Sequence, residues 1–248
     1  MKTETTLSHE RQLLIRQKGV VPLRKFVDDK HSYFIFKRIF DVVFSFFIII
    51  GVLSWLIPIV SLLIMIDSRG PVFFIQRRVG KGGKSFSCLK FRTMVLNKEA
   101  NQKQATVNDY RITRIGSFLR KSNLDEFPQF LNVFVGHMSI VGPRPHMLSD
   151  CSAFSQVVSG YKFRNMVKPG VTGLAQVKGF RGPAKDFQSI FRRYQYDAFY
   201  IRNTNFWLDI RIIRATARQT TKVILQKFVD VPEVSGFETV ATAIKSNA

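Results

Sequence analysis

The sequence predicts an α/β (α+β) fold, one compact domain carried on an N-terminal re-entrant membrane helix with amphipathic interfacial helices around it. Three observations predict it. Residues 42–66, VVFSFFIIIGVLSWLIPIVSLLIMI, contain no charged side chain. From Gly70 to about Val223, short apolar runs alternate with Gly/Pro punctuation and helix-like stretches, the pattern of a compact mixed domain. Lys and Arg number 38 against 17 acids, a formal charge of +21, which calls for an anionic partner: nucleic acid, an anionic membrane face or a phosphorylated substrate. A chain of 248 residues with 46% hydrophobic content holds one sizeable domain plus attachments.

Residues 1–30 read as a polar, basic lead, either flexible or an interfacial helix. Residues 31–69 read as the membrane anchor. As a straight helix the uncharged run would be ~37 Å long, more than the ~30 Å hydrocarbon core of a bilayer. A cleaved signal peptide is excluded by its late start, its length and the lack of an A-x-A-like exit. Lys37 and Arg38 precede the run and Arg69, Arg77 and Arg78 follow it, so the positive-inside rule keeps both flanks on the cytoplasmic side. Pro58 removes a backbone hydrogen bond within the run, and Ser54, one turn earlier, is placed to bond the freed carbonyl. A helix that dips into one leaflet and returns satisfies all of these facts. A single crossing satisfies most of them.

Residues 70–223 read as the functional domain. Cys88 and Cys151 are too few for a disulfide framework and fit a reducing compartment. His9, His31, His137 and His146 are scattered, without zinc spacing, and read as ordinary surface or core histidines. Gly80-Lys81-Gly82-Gly83-Lys84-Ser85 fails the phosphate-loop pattern at Arg78 and the dinucleotide pattern at Ser85. It reads instead as a turn joining a strand VFFIQRR to a strand SFSCLKFRTM. On that second strand Lys90 and Arg92 share a face, where they either flank an anion or form a solvated edge.

Asp125 and Glu126 are adjacent carboxylates ahead of Pro128. They read as the start of a helix, with Asn123 or Asp125 as cap and the dipole keeping Asp125 ionised. One could attack while the other holds a metal ion, but from these residues alone a near capping box, Asn123-x-x-Glu126, is the more economical account. In Gly142-Pro143-Arg144-Pro145 the two prolines stiffen the backbone and aim the Arg144 guanidinium, which suits bidentate phosphate recognition. The glycine-dense loop Lys168–Gly182 lets backbone approach a ligand closely. Phe199–Ala217 reads as an amphipathic, basic and aromatic helix suited to a membrane surface, with Asp197, Tyr200 and Asn203 on a helix. Residues 224–248 read as a tail or a supporting helix.

In this order, KRIFD, the Pro-broken apolar segment, GPVFFIQRRVGKGGKSFSCLKFRTM, RITRIGSFLRKSNLDEFPQFLNVFVGHMSIVGPRP, KPGVTGLAQVKG and DAFYIRN resemble the bacterial polyprenyl-phosphate phosphoglycosyl transferases, the monotopic sugar-transferase family. The resemblance runs from about Lys37 to Thr216. It implies that Asp125 attacks the β-phosphorus of a UDP-sugar, releases UMP and carries the sugar-phosphate as an aspartyl intermediate. Undecaprenyl phosphate then accepts the group. It implies Mg²⁺ with Glu126 as the associated carboxylate, and Lys90, Arg92, Arg120 and Arg144 near the substrate phosphates, with Asp197 as a further acid. Covalent catalysis splits a transfer between two anionic phosphates into two steps. It also implies a re-entrant anchor on anionic lipids of the inner membrane, a catalytic domain on the cytoplasmic face, and a role in starting exopolysaccharide, capsule, O-antigen or lipopolysaccharide assembly.

His137 stands where many relatives have an acid, and Phe127 and Phe130 replace more usual leucines. Larger relatives carry further membrane helices and a domain ahead of the unit that starts here near residue 37. The GFRG stretch favours glucose or galactose as the sugar. A membrane-tethered nucleic-acid-binding protein would account for the charge, but it lacks a binding motif and leaves Asp125-Glu126 unexplained, so no nucleic acid is expected. A non-catalytic export scaffold is the other alternative, and homo-oligomerisation is left open.

Overall fold

The computed structural model describes residues 25–97, 106, 109–182 and 186–229. Most of the basic lead and the final residues of the tail lie outside these. A single turn, Lys25–Asp28, leads into helix α1 (His31–Ile48), a π-helical turn (Ile49–Leu53) and helix α2 (Ser54–Asp67). Hairpin strands β1 (Phe73–Val79) and β2 (Ser85–Phe91) follow, then α3 (Arg114–Ser122), a 3₁₀ turn (Leu124–Glu126) and α4 (Gln129–Val135). The remainder is β3 (Ser139–Val141), α5 (Leu148–Val157), a 3₁₀ segment (Tyr161–Met166), β4 (Gly170–Thr172), α6 (Leu174–Val177), α7 (Phe187–Asn203) and α8 (Phe206–Val229).

The expected mixture of helix and strand is present, but helices dominate. Among the described residues the strands form two pairs only: β1 antiparallel to β2, with Phe74 opposite Lys90, and β3 parallel to β4, with Ser139 opposite Gly170. The hairpin turns where expected because Gly82 and Gly83 take positive φ (67° and 80°), a conformation that side-chain-bearing residues resist. One core joins Phe86, Phe91, Leu119, Val133, Met138, Ile201 and Ile212 to Leu53 and Leu56 of the anchor. Gly116 lets α3 lie against the strand end: a Cβ there would sit 2.1 Å from the Thr93 carbonyl oxygen.

The apolar helix is bound to the domain by polar side chains at both ends. From α1, Lys37 Nζ meets Asp209 Oδ2 at 2.6 Å, and Tyr33 and Tyr200 donate to the same carboxylate at 2.7 and 2.8 Å. Arg38 donates to the carbonyls of Val133 and Phe134 at the end of α4, and Asp41 accepts the Ile140 amide. Beyond α2, Asp67 accepts the Ile115 amide, and Arg92 donates to the carbonyls of Ser68 and Arg69, both at 2.6 Å. Outward from these contacts, Phe36, Phe47, Ile50, Trp55, Leu62 and Ile66 are exposed.

Two expectations need correcting here. Ser54 Oγ bonds Ile50 O and Trp55 Nε1 bonds Gly51 O, so these side chains serve the π turn rather than the carbonyl that Pro58 leaves free. The amphipathic stretch Phe199–Ala217 is not one helix. It breaks at Thr204–Asn205, where Asn205 accepts the Leu208 amide and starts α8, which continues past residue 223 into the expected tail.

Candidate active site

The sequence brings Asp125 and Glu126 together on the 3₁₀ turn between α3 and α4. Asn123, in the left-handed region at φ 63°, ends α3 and reverses the chain. Its side chain donates to Thr220 Oγ1 of α8 and forms no capping box, and no side-chain cap starts the 3₁₀ turn. The helix-N-terminus account of the acidic pair is therefore replaced by a tight turn held from α8.

The turn faces a cleft of about 510 Å³ between β1–β2 and the Gly142–Pro145 loop. Glu126 is buried and taken up by cations: Oε1 receives Lys90 Nζ at 2.5 Å and Arg144 at 2.6 Å, while Oε2 receives Arg144 at 3.1 Å and Arg181 at 3.3 Å. Burial works against its charge, but Arg144 and Lys90 hold its carboxyl well below the usual range. Asp125 is half-buried and has no hydrogen-bond partner among the described residues. Burial and the Glu126 charge push its carboxyl up to about 6, against the pull of Lys90, Arg120 and Arg144. The neighbouring acids thus differ: Glu126 anchors the cations, and Asp125 has no partner among the described residues and lines the cleft.

Each sequence-predicted residue can now be placed. Lys90, Arg120 and Arg144 line the cleft, and Arg120 reaches Thr93 Oγ1 at 3.4 Å. The fork of the doubly proline-flanked Arg144 closes on Glu126. Arg92 borders the cleft with its guanidinium turned to the carbonyls after α2, because β2 ends at Phe91 and the strand alternation with Lys90 ends with it. Asp197 does not line the cleft. It is 2% exposed and paired with Arg164, at 2.8 Å, and Arg164 also donates to the Arg144 carbonyl at 2.7 Å. Asp197 therefore braces the Arg144 loop from behind.

Residue-by-residue reading missed Arg78, Arg193 and His146, which also line the cleft, and gave no role to Arg181. His146 had a signal, since it directly follows the stiff Gly-Pro-Arg-Pro loop. Among the described residues no three metal-binding side chains gather into a cage. A Mg²⁺ shared with substrate phosphates needs only one or two protein carboxylates, and Glu126 is the carboxylate expected to serve.

A half-buried carboxylate among guanidinium and ammonium groups lines a strongly basic cleft, which suits an anionic ligand. The chain belongs to the bacterial sugar transferase family, whose model matches residues 32–223. It is 45% identical over 201 residues to a UDP-glucose:undecaprenyl-phosphate glucose-1-phosphate transferase of Xanthomonas campestris pv. campestris, over 80% of this chain and 41% of that protein. It is 43% identical over 183 residues to a protein of the same name from Klebsiella pneumoniae, over 73% of this chain and 39% of the relative. An exopolysaccharide production protein PSS of Rhizobium leguminosarum bv. phaseoli is 43% identical over 187 residues, which is 93% of its length. The chain thus spans about two fifths of the length of the first two relatives and nearly all of the third.

Proposed function

We propose that this protein transfers a sugar-1-phosphate from a UDP-sugar to undecaprenyl phosphate, releasing UMP, through a covalent intermediate on Asp125. The observation that carries this reading is the unpartnered Asp125 carboxylate, poised at about 6 among three cations. At pH 7 such a group is about nine-tenths ionised. Its oxygen attacks the β-phosphorus, the bond from that phosphorus to the bridging oxygen breaks, and UMP leaves with the bonding electrons. A phosphate oxygen of the lipid then attacks the same phosphorus and returns Asp125 as carboxylate. Lys90, Arg120 and Arg144 are placed to offset phosphate charge in both steps.

Mg²⁺, when bound at Glu126, would supply further neutralisation of phosphate oxygens. Glu126 would accept it by releasing Arg181, its longest and most exposed partner. Glucose is the first sugar to test, since it is named for the relatives from Xanthomonas and Klebsiella. The product would begin assembly of an exopolysaccharide or related glycan.

For the anchor we favour the re-entrant path at the cytoplasmic face of the inner membrane. The domain grips the apolar helix at Lys37–Asp41 and again at Asp67–Arg69, which supports entry and exit on one side. Exposed Phe199, Phe206 and Trp207 would rest at the lipid interface. The test is protein in nanodiscs with Mg²⁺, undecaprenyl phosphate and a panel of UDP-sugars. UMP release that needs Asp125 is the expected result. UDP release would mean plain glycosyl transfer, and no nucleotide release from folded protein would remove the reading.

A further inference from the structure

The cleft is also lined by hydrogen-bond donors that the transfer step does not use. His146 is 4% exposed and borders the cleft. Its Nδ1 lies 2.6 Å from the Tyr161 hydroxyl. That hydroxyl has no other hydrogen-bond partner among the described residues, and burial raises its pKa, so Tyr161 is the donor. Burial and the charges of Arg164, Arg193, Arg78 and Arg144 hold the imidazole well below its ordinary range, so it is neutral. A neutral ring that accepts at Nδ1 carries its proton on Nε2. Nε2 is buried and meets no acceptor among the described residues.

A second orphan donor lies beside it. Arg193 is 6% exposed and borders the cleft. Its NH2 group is tied to the Gly182 carbonyl, and its buried Nε–H meets no acceptor among the described residues. Arg78, in the same wall, is held by Pro145 O and Gln76 Oε1. Burying an unpaired donor is unfavourable, so two among the residues of one cleft point to an acceptor supplied by a ligand. The surrounding guanidinium charge favours an anion over a neutral carbonyl.

We propose that His146 Nε2–H and Arg193 Nε–H, backed by Arg78, form the subsite for the phosphate of the departing nucleoside monophosphate. This rests on the reading of Asp125 as the group that takes the other phosphate. The Gly142–Pro145 loop and the residue after it join the two groups: Arg144 pairs with Glu126, next to Asp125, and His146 lines the same cleft two positions on. In this assignment the diphosphate lies in the cleft with its sugar-phosphate toward Asp125 and its nucleotide toward His146.

The test is calorimetric binding of UMP, uridine and pyrophosphate to nanodisc-held protein, which needs no turnover. His146→Phe removes the donor at similar ring size, and His146→Gln restores an N–H near the Nε2 position. The expected result is a loss of UMP and pyrophosphate affinity of roughly tenfold or more in His146→Phe, the loss of one hydrogen bond to a charged group. His146→Gln should recover most of it, and the KM for undecaprenyl phosphate should hold steady. Arg193→Met should lose a similar factor, which keeps the test open if His146→Phe fails to fold. Unchanged UMP affinity in both variants overturns the subsite, as does equal loss for uridine, which would make His146 a nucleoside contact. Failure of wild-type protein to bind either phosphate ligand also overturns it. If pyrophosphate binding depends on His146 while no UDP-sugar releases UMP, the transfer reading fails and the anion subsite stands.

Discussion

Replacing Asp125 by Asn should abolish transfer and at the same time make the protein more stable. Asp125 is pushed from an ordinary 3.8 up to about 6, first by burial and then by the Glu126 charge. A rise of about two units corresponds to roughly 3 kcal/mol of destabilisation once the group is ionised. The sign follows from proton counts. Between about pH 4 and 6 the folded chain holds this proton more tightly than the unfolded chain, so stability falls as pH rises through that window, and the cost is complete above about 6. Asparagine has nearly the same shape and no charge, so it escapes the cost. For a chain of this size, the variant should melt on the order of 5–10 °C higher at pH 8, and at pH 4 the gap should close. The assay is thermal unfolding in nanodiscs at both pH values, followed by near-ultraviolet circular dichroism. An Asn variant no more stable than wild type at pH 8, or one whose advantage persists at pH 4, would refute the assignment of strain to this carboxylate.

Three further outcomes are expected. In a single-turnover burst without lipid acceptor, UMP release should be half-maximal near pH 6 and fall about tenfold per unit below it, as the Asp125 nucleophile protonates. A burst that stays flat to pH 5 would contradict this. Glu126→Gln should destabilise by about 3–5 kcal/mol, because Lys90, Arg144 and Arg181 lose their shared counter-charge. Its lowered carboxyl contributes stability that is present above the ordinary 4.5 and lost as pH falls through the folded value, so the deficit should shrink in strong acid. Gly116→Ala places a Cβ 2.1 Å from the Thr93 oxygen, so α3 must shift. A loss of about 1–3 kcal/mol in unfolding experiments is expected, with lower kcat because α3 carries Arg120 and leads into the Asp125 turn.

The parts of this molecule that were legible in the sequence are those fixed by local periodicity. The uncharged run, the β1–β2 hairpin and its glycine turn all declare themselves within a few residues. Lys90, Arg120 and Arg144 line the cleft, and each sits on or beside a regular element or a proline-flanked loop. What was not legible depends on contacts across the chain. Arg92 is one residue beyond the end of β2 and caps the carbonyls after α2, some 23 positions earlier. Asp197 looked like a site acid but pairs with Arg164, 33 positions away. The Asp125 carboxyl looked stabilised by a helix end, yet burial beside Glu126 governs it, and neither burial nor that arrangement can be read from adjacency alone.

The grip of Asp209 on Lys37 has a consequence for how the molecule is made. The two residues lie 172 positions apart, and both are buried. The apolar helix leaves the ribosome well before α8, carrying an ammonium whose counter-charge has not yet been synthesised. Until α8 arrives, that ammonium must stay in water or among lipid headgroups. The apolar helix therefore cannot complete its seat until α8 has been synthesised, and a chain stalled short of α8 holds that helix without this latch.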